Sequence, residues 1–193
     1  MGEVIKLDQR DVQRKGGLCV KYPSSYVVCE TLRSFSIRRV LDVTFGKGRF
    51  YKLCRRDIEF LIASDPIRWE WLVIPDAFYQ ATVWQLYRLL KSGEVRVDGV
   101  DCVVADPPRW NPNAEYKKRE EYNFLVGTHG LIFEYTSKIA DLASSKYILI
   151  HYNRVIDIEN YTPVRIVEFK WFARYLNTKD KNTSYYVLYG RKD

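Results

Sequence analysis

Short apolar runs alternate with helix-like segments between residues 39 and 152, and each run stops at a glycine, an acid or a proline. The runs are "RVLDVTF" (39–45), "EFLIASD" (59–65), "VDCVVAD" (100–106) and "KYILIHY" (146–152). They are apolar along their whole length rather than at every second residue. That is the pattern of strands covered on both faces. Between them, "AFYQATVWQLYRLLKSG" (77–93) and "HGLIFEYTSKIADLASS" (129–145) carry apolar residues at helical spacing, and Gly93 closes the first. Strand and helix in alternation predict an α/β domain with a doubly wound, mostly parallel sheet. Two further strands, 164–172 and 184–191, follow each other across "NTKDKNT" and predict an antiparallel C-terminal hairpin. "YPSSYVVCETLRSF" (22–35) reads as a helix capped by Ser24 or Ser25, and a helix is expected from the glycine turn to about Arg56. Residues 1–21 read as an irregular arm on a single domain spanning 1–193, with no repeat or linker to divide it.

In sheets of this kind ligands bind at the carboxyl ends of the strands, near the point where strand order reverses. Three predicted strands end there in suggestive residues. The first runs through Asp42 into "TFGKG", where Gly46 and Gly48 allow a tight turn and a close approach to the backbone. This is neither a G-x-G-x-x-G fingerprint nor a P-loop. The second ends in Asp65, about twenty residues after the glycine turn. At that spacing a carboxylate would hydrogen-bond a ribose, or else cap a helix begun by Pro66. "IPDAF" (74–78) places Asp76 and Phe78 where an adenine would be held, or where Asp76 would cap a helix. The third strand stops at "ADPPRW" (105–110), since neither proline can donate to a sheet.

The order of these features resembles the class I S-adenosylmethionine-dependent methyltransferases, over most of the chain from about Tyr22. "DVTFGKG" looks like the family's cofactor loop, "SD" (64–65) like its ribose acid and "PDAF" like its adenine segment. "KYPSSYVVCETL" resembles the segment placed near the methionine end of the cofactor. "ADPPRW" looks like the D/N-P-P-aromatic signature of the amino-methyltransferase branch, and it departs from the pattern at Arg109, with the aromatic one residue later at Trp110. The resemblance implies a Rossmann-like methyltransferase fold and S-adenosylmethionine as cofactor. It would be held by Tyr22, Pro23, Asp42, Thr44, Phe45, Gly46, Gly48, Asp65, Asp76 and Phe78. Catalysis would rest on Asp106, Pro107, Pro108 and Trp110. It implies transfer of a methyl group to an exocyclic amine of a nucleic-acid base, adenine first, in RNA or DNA. Two alternatives stand: a protein side-chain amide or small amine as acceptor, and a non-catalytic nucleic-acid-binding module with the same fold.

Charge bears on the partner. The net charge is +7, with +4 in residues 1–39, −1 in 40–108 and +4 in 146–193. A chain basic at its flanks attracts a polyanion while keeping acids in its middle. Arg109, Lys117, Lys118 and Arg119, among tyrosines and Trp110, suit an unpaired or flipped base, and Lys15, Lys21, Arg38 and Arg39 would track phosphates. RNA is slightly favoured over DNA, and with no room for a separate target-recognition domain, specificity would come from residues 109–128, from the termini or from a partner specificity subunit. No run is long enough to cross a membrane. Cys19, Cys29, Cys54 and Cys102 form no C-x-x-C pair. They read as reduced thiols of a cytoplasmic protein, with no metal site. His129 and His151 read as a helix-start residue and a satisfied strand residue.

Overall fold

The computed structural model describes residues 2–108, 128–171 and 183–192. Eight strands form one sheet in the order β1-β7-β8-β6-β5-β2-β3-β4. They are β1 (Glu3–Asp8), β2 (Arg39–Asp42), β3 (Phe60–Asp65), β4 (Ala77–Gln80), β5 (Cys102–Ala105), β6 (Tyr147–Tyr152), β7 (Tyr161–Lys170) and β8 (Thr183–Arg191). Every neighbouring pair is parallel except those of β8, which runs antiparallel to β6 and β7. The sheet is therefore mixed, and the antiparallel pairing of the last two strands is present. Their connection, "NTKDKNT", lies in or beside residues 172–182, outside the described residues.

The apolar runs are buried on both faces. Val40, Leu61, Val104 and Leu149 pack to one side with Val27, Val28 and Leu32 of helix α3 (Pro23–Ser34). Leu41, Ile62, Val103 and Ile148 pack to the other with Val83 and Leu86 of α4 (Val83–Ser92) and Ile132 and Ile139 of α5 (His129–Leu142). Alternating side chains of one run thus feed two apolar layers, and this is why the runs show no period of two. The chain builds outward through β2, β3 and β4, then returns to β5 on the other side of β2. The strand order reverses between β2 and β5, so the crevice of this fold opens beside Asp42 and Asp106.

Four expectations are corrected. Residues 1–21 are not an irregular arm. β1 extends the sheet beside β7, and α1 (Gln9–Gln13) and α2 (Leu18–Lys21) follow it. The "EVIKLD" run alternates, with Ile5 and Leu7 against the core and Val4 and Lys6 outward. Asp8 then caps α1, its carboxylate accepting from the backbone of Arg10 and Asp11 at 2.7 and 3.1 Å. Second, the segment after the glycine turn holds two short 3-10 turns, Arg49–Tyr51 and Arg55–Asp57, instead of an α-helix. The chain must be back at β3 by Phe60, which leaves no length for a helix and a return. Third, 77–93 is a strand and then a helix: β4 pairs with β3 through Gln80, and Thr82 begins α4 with a capping box to Gln85. Fourth, Cys29 and Cys54 form a disulfide between α3 and the 3-10 segment, with Cα atoms 5.5 Å apart. Their sequence separation of 25 hid the pair, because only the tertiary fold makes them neighbours. The helix 22–35 is present, but its cap is Tyr22 with Pro23 in the first turn. Ser25 instead donates to Phe50 O and accepts from Leu53 N–H.

Candidate active site

β2 delivers Asp42 to the crevice with 3% of its surface exposed. Its Oδ1 accepts from Thr44 N–H at 2.9 Å, and its Oδ2 accepts from the Tyr51 hydroxyl at 2.7 Å. Burial pushes this carboxyl up to about 7, and the Asp106 and Asp65 carboxylates push the same way. The hydrogen bonds from Tyr51 and Thr44 favour the charged form and oppose the rise. Burial and Asp42 together hold the Tyr51 phenol well above its usual range, so Tyr51 is a donor at every working pH.

The glycine loop follows. Gly46 (φ +55°) and Gly48 (φ +73°) both need the left-handed region. A side chain at Gly48 would strike the Phe45 ring at 2.6 Å, whereas one at Gly46 would enter open space. Gly48 is therefore set by packing and Gly46 by backbone shape beside an open cradle. Phe45 turns inward, buried and stacked on Tyr51 at 5.9 Å. It supports the loop from behind and lies outside the crevice wall.

Asp65 is 1% exposed at the end of β3. Its Oδ2 accepts from Gly46 N–H at 2.9 Å; its Oδ1 accepts from Ile67 N–H at 2.9 Å and from the Trp69 indole at 3.2 Å. No helix follows, so this acid ties the glycine loop to the 66–76 segment instead of capping one. A small cavity of about 20 Å³ opens among Val43, Thr44, Asp65, Pro66, Thr82, Val83 and Ile132. A wider groove of about 470 Å³, lined in part by Arg33, Arg38 and Glu59, lies at the amino ends of β2 and β3, away from all of these groups.

The structure does not bring Asp76 or Phe78 to the crevice. Asp76 precedes β4 and sits at the amino end of β3, where it accepts from Leu61 N–H at 2.7 Å and from Arg55 at 2.6 Å. Phe78 packs on Trp71 in mid-sheet, with ring centroids 5.0 Å apart. The reason is the strand at 77–80: it moves the start of α4, and with it the edge facing the cavity, to Thr82 and Val83. Arg38 and Arg39 also lie at the amino rim, on Glu59 and on the carbonyls of Asp98 and Gly99.

β5 delivers Asp106. Its backbone N–H donates to Thr44 Oγ1 at 2.6 Å, which joins the two strand ends across the switch point. Its Oδ1 accepts from His151 Nδ1 at 2.9 Å, and its side chain is 36% exposed. His129 Nε2 donates to the Pro108 carbonyl at 2.6 Å while its Nδ1 accepts from the Tyr152 hydroxyl at 2.8 Å. Among the described residues nothing engages Asp106 Oδ2 or the Pro107 carbonyl. Ser24, which follows Tyr22 and Pro23 at the start of α3, reaches the same side: its Oγ accepts from Tyr186 OH at 2.9 Å, and Tyr186 stacks on His151 at 4.0 Å. Sequence reasoning missed Tyr51, His129, His151 and Tyr186. The histidines carried a faint signal: one opens the predicted helix 129–145 and the other sits near the end of the strand 146–152 that follows it. Arg109, Trp110, Lys117, Lys118 and Arg119 lie outside the described residues.

No family model matches the sequence, and no curated protein matches it. Solved structures do. N-methyltransferase NodS from Bradyrhizobium japonicum WM9, in complex with S-adenosyl-L-homocysteine, aligns with a TM-score of 0.56 at 9% identity, over 90% of this chain and 88% of that one. Magnesium protoporphyrin IX methyltransferase from Synechocystis PCC 6803, with bound S-adenosylmethionine, aligns at 0.53 and 11%, over 95% and 84%. The tRNA (uracil-54, C5)-methyltransferase of Pyrococcus abyssi gives 0.47 and 17% over 85% of this chain, which spans only 38% of that protein. At these identities the likeness to the first two is one of architecture, and the chain has the Rossmann-like fold of the class I S-adenosylmethionine-dependent methyltransferases.

Proposed function

We propose that the protein transfers a methyl group from S-adenosylmethionine to an exocyclic amine of a nucleic-acid base, adenine first, with RNA slightly favoured over DNA. The observation that carries this reading is the strand-end pair of acceptors, Asp106 Oδ2 and the Pro107 carbonyl. They belong to consecutive residues at the switch point, and Asp106 is partly exposed.

The residues present fit the cofactor. Asp42 has no lysine or arginine partner among the described residues, and an acid so placed favours a cationic ligand. Gly46 leaves an open cradle, and Thr82, Val83 and Ile132 form an apolar wall beside Asp65. Tyr22, Pro23, Asp42, Thr44, Gly46, Gly48 and Asp65 would hold S-adenosylmethionine, with Asp65 exchanging its Trp69 contact for a ribose hydroxyl. When bound, the cofactor would supply an electrophilic methyl group on a sulfonium, whose bond to that carbon breaks in the transfer and leaves a neutral thioether.

The chain's own task is to prepare the amine. An exocyclic amine is a weak nucleophile because its lone pair is delocalised into the ring. Asp106 Oδ2 and the Pro107 carbonyl would each accept one of its N–H groups and turn the lone pair out of the ring plane. Prolines hold these acceptors stiffly and bring no competing N–H. As the N–C bond forms, the nitrogen becomes cationic and its excess proton passes to Asp106 or to water. The carboxylate stabilises that developing charge without a covalent intermediate. Trp110 would stack on the base and Arg109, Lys117, Lys118 and Arg119 would meet its flanking phosphates, with a partner subunit adding sequence specificity.

Incubation with methyl-tritiated S-adenosylmethionine and RNA, DNA and protein from the same cells tests this reading. Label in a nucleic acid, recovered as a methylamino base, is the expected result. Label in protein alone would end it.

A further inference from the structure

We infer that His151 is the positioning residue of the reaction: it fixes the rotation of the Asp106 carboxylate so that Oδ2, and not the edge of the group, faces the amine. The inference rests on the methyl-transfer reading above for its catalytic consequence. It rests on contacts in the structure for its geometry.

A carboxylate at the end of a strand has two soft torsions, and one hydrogen bond to its backbone N–H does not set either. Asp106 has that backbone bond, to Thr44 Oγ1. The side chain is held by one further bond, from His151 Nδ1 to Oδ1 at 2.9 Å. A carboxylate oxygen can only accept, so the neutral ring carries its proton on Nδ1. The imidazole itself is buried and packed against two rings. Tyr186 stacks on it, with planes 10° apart and centroids at 4.0 Å, and Phe50 meets it edge-on at 5.6 Å. The sheet imposes the stack, because His151 and Tyr186 are register partners of β6 and β8. The Tyr186 hydroxyl is in turn tied to Ser24, and Ser25 on the same helix turn holds the Phe50 carbonyl. The chain of contacts therefore runs from a buried ring, stacked on one aromatic and met edge-on by another, to one oxygen of one acid. It leaves the other oxygen for a substrate.

The clamp and the hydrogen bond are separable by mutation. His151→Phe keeps an aromatic ring between Tyr186 and Phe50 but has no donor. His151→Asn loses the ring but places an amide N–H close to the position of Nδ1. If His151 acts through orientation, His151→Phe should lower kcat about 100-fold, the scale of a misplaced reacting group. KM for the amine substrate and the affinity for S-adenosylmethionine should stay unchanged. His151→Asn should recover at least tenfold of that loss despite its poorer packing. A merely structural role predicts the reverse order, with Phe tolerated and Asn damaged. That result, or wild-type kcat in His151→Phe, overturns the inference.

A second measurement does not depend on turnover. With only two histidines in the chain, long-range 1H–15N spectra resolve both rings. In the wild type the His151 ring should be a fixed Nδ1–H tautomer, and Asp106→Ala should release it and move its nitrogen shifts. Shifts unmoved by Asp106→Ala overturn the inference whatever the activity. A wild type that shows the locked tautomer yet methylates no nucleic acid, protein or small amine would instead refute the proposed function.

Discussion

At the amino ends of the strands, acids meet arginines. Arg55 holds Asp76 at 2.6 Å, Arg38 holds Glu59 at 3.0 Å and Arg33 holds Asp57 at 2.8 Å. At the carboxyl ends of β2 and β5, Asp42 and Asp106 meet hydroxyls, backbone amides and an imidazole, and no lysine or arginine among the described residues. The two rims share one sheet and one amino-acid alphabet, so the difference is one of task. An arginine-paired acid at the surface closes a turn and is worth little beyond that. A buried acid supported only by neutral donors keeps much of its desolvation cost, and Asp42 shows it in a carboxyl pushed up to about 7. Under the proposed function, a ligand that brings positive charge would relieve that cost. S-adenosylmethionine is such a ligand.

The comparison breaks first at Asp106. Asp106→Ala should reduce methyl transfer by about 10²–10³-fold, read by tritium incorporation, while calorimetric binding of S-adenosylmethionine stays near wild type. Unchanged transfer would place the chemistry elsewhere.

Asp42 sharpens it through pH. The folded carboxyl keeps its proton up to about pH 7, whereas an unfolded aspartate releases it near pH 4. Between those values the folded chain binds more protons. The contribution of Asp42 to stability should therefore be largest in acid, fall as pH rises through that window, and level off above about pH 7, a loss of up to about 4 kcal/mol. Denaturant melts between pH 4 and 8 should show the slope, and Asp42→Asn should flatten it. A wild-type profile that Asp42→Asn leaves unchanged would mean that the acid is not strained.

The disulfide anchors α3 to the segment behind the glycine loop, and its Cys54 lines the groove at the amino rim. Its loss in Cys54→Ser should cost about 3 kcal/mol, measured as a lower denaturation midpoint. Cofactor affinity would follow only as far as the loop loosens. At the amino rim, Asp76→Asn should cost about 1 kcal/mol of stability and leave transfer untouched. A large loss of transfer there would erase the distinction between the rims.

How much of this could be read from the chain depended on whether the deciding contact was local. The apolar runs announced β2, β3, β5 and β6, and the residues closing them marked the crevice, because strand burial and chain stops are written in consecutive residues. Asp42, Gly46, Asp65 and Asp106 were legible for that reason. Asp76 was misplaced because "AFYQ" pairs with an open strand edge, a tertiary choice that helical periodicity across 77–93 concealed. β1 was missed because its partner lies more than 150 residues away. The disulfide and the His151–Asp106 bond were hidden for the same reason, at separations of 25 and 45 residues. Tyr51 was one aromatic among fifteen tyrosines until the 3-10 turn aimed it at Asp42.

The central claim is that the carboxyl rim, around Asp42 and Gly46, is built for S-adenosylmethionine. Isothermal titration of the intact chain with S-adenosylmethionine and with S-adenosylhomocysteine tests it most directly, beside Gly46→Val, whose side chain would enter the open cradle at a positive φ. The account predicts one site that takes both compounds in the wild type and is lost in Gly46→Val. A wild type that binds neither compound, or a Gly46→Val protein that binds them as tightly, would contradict it.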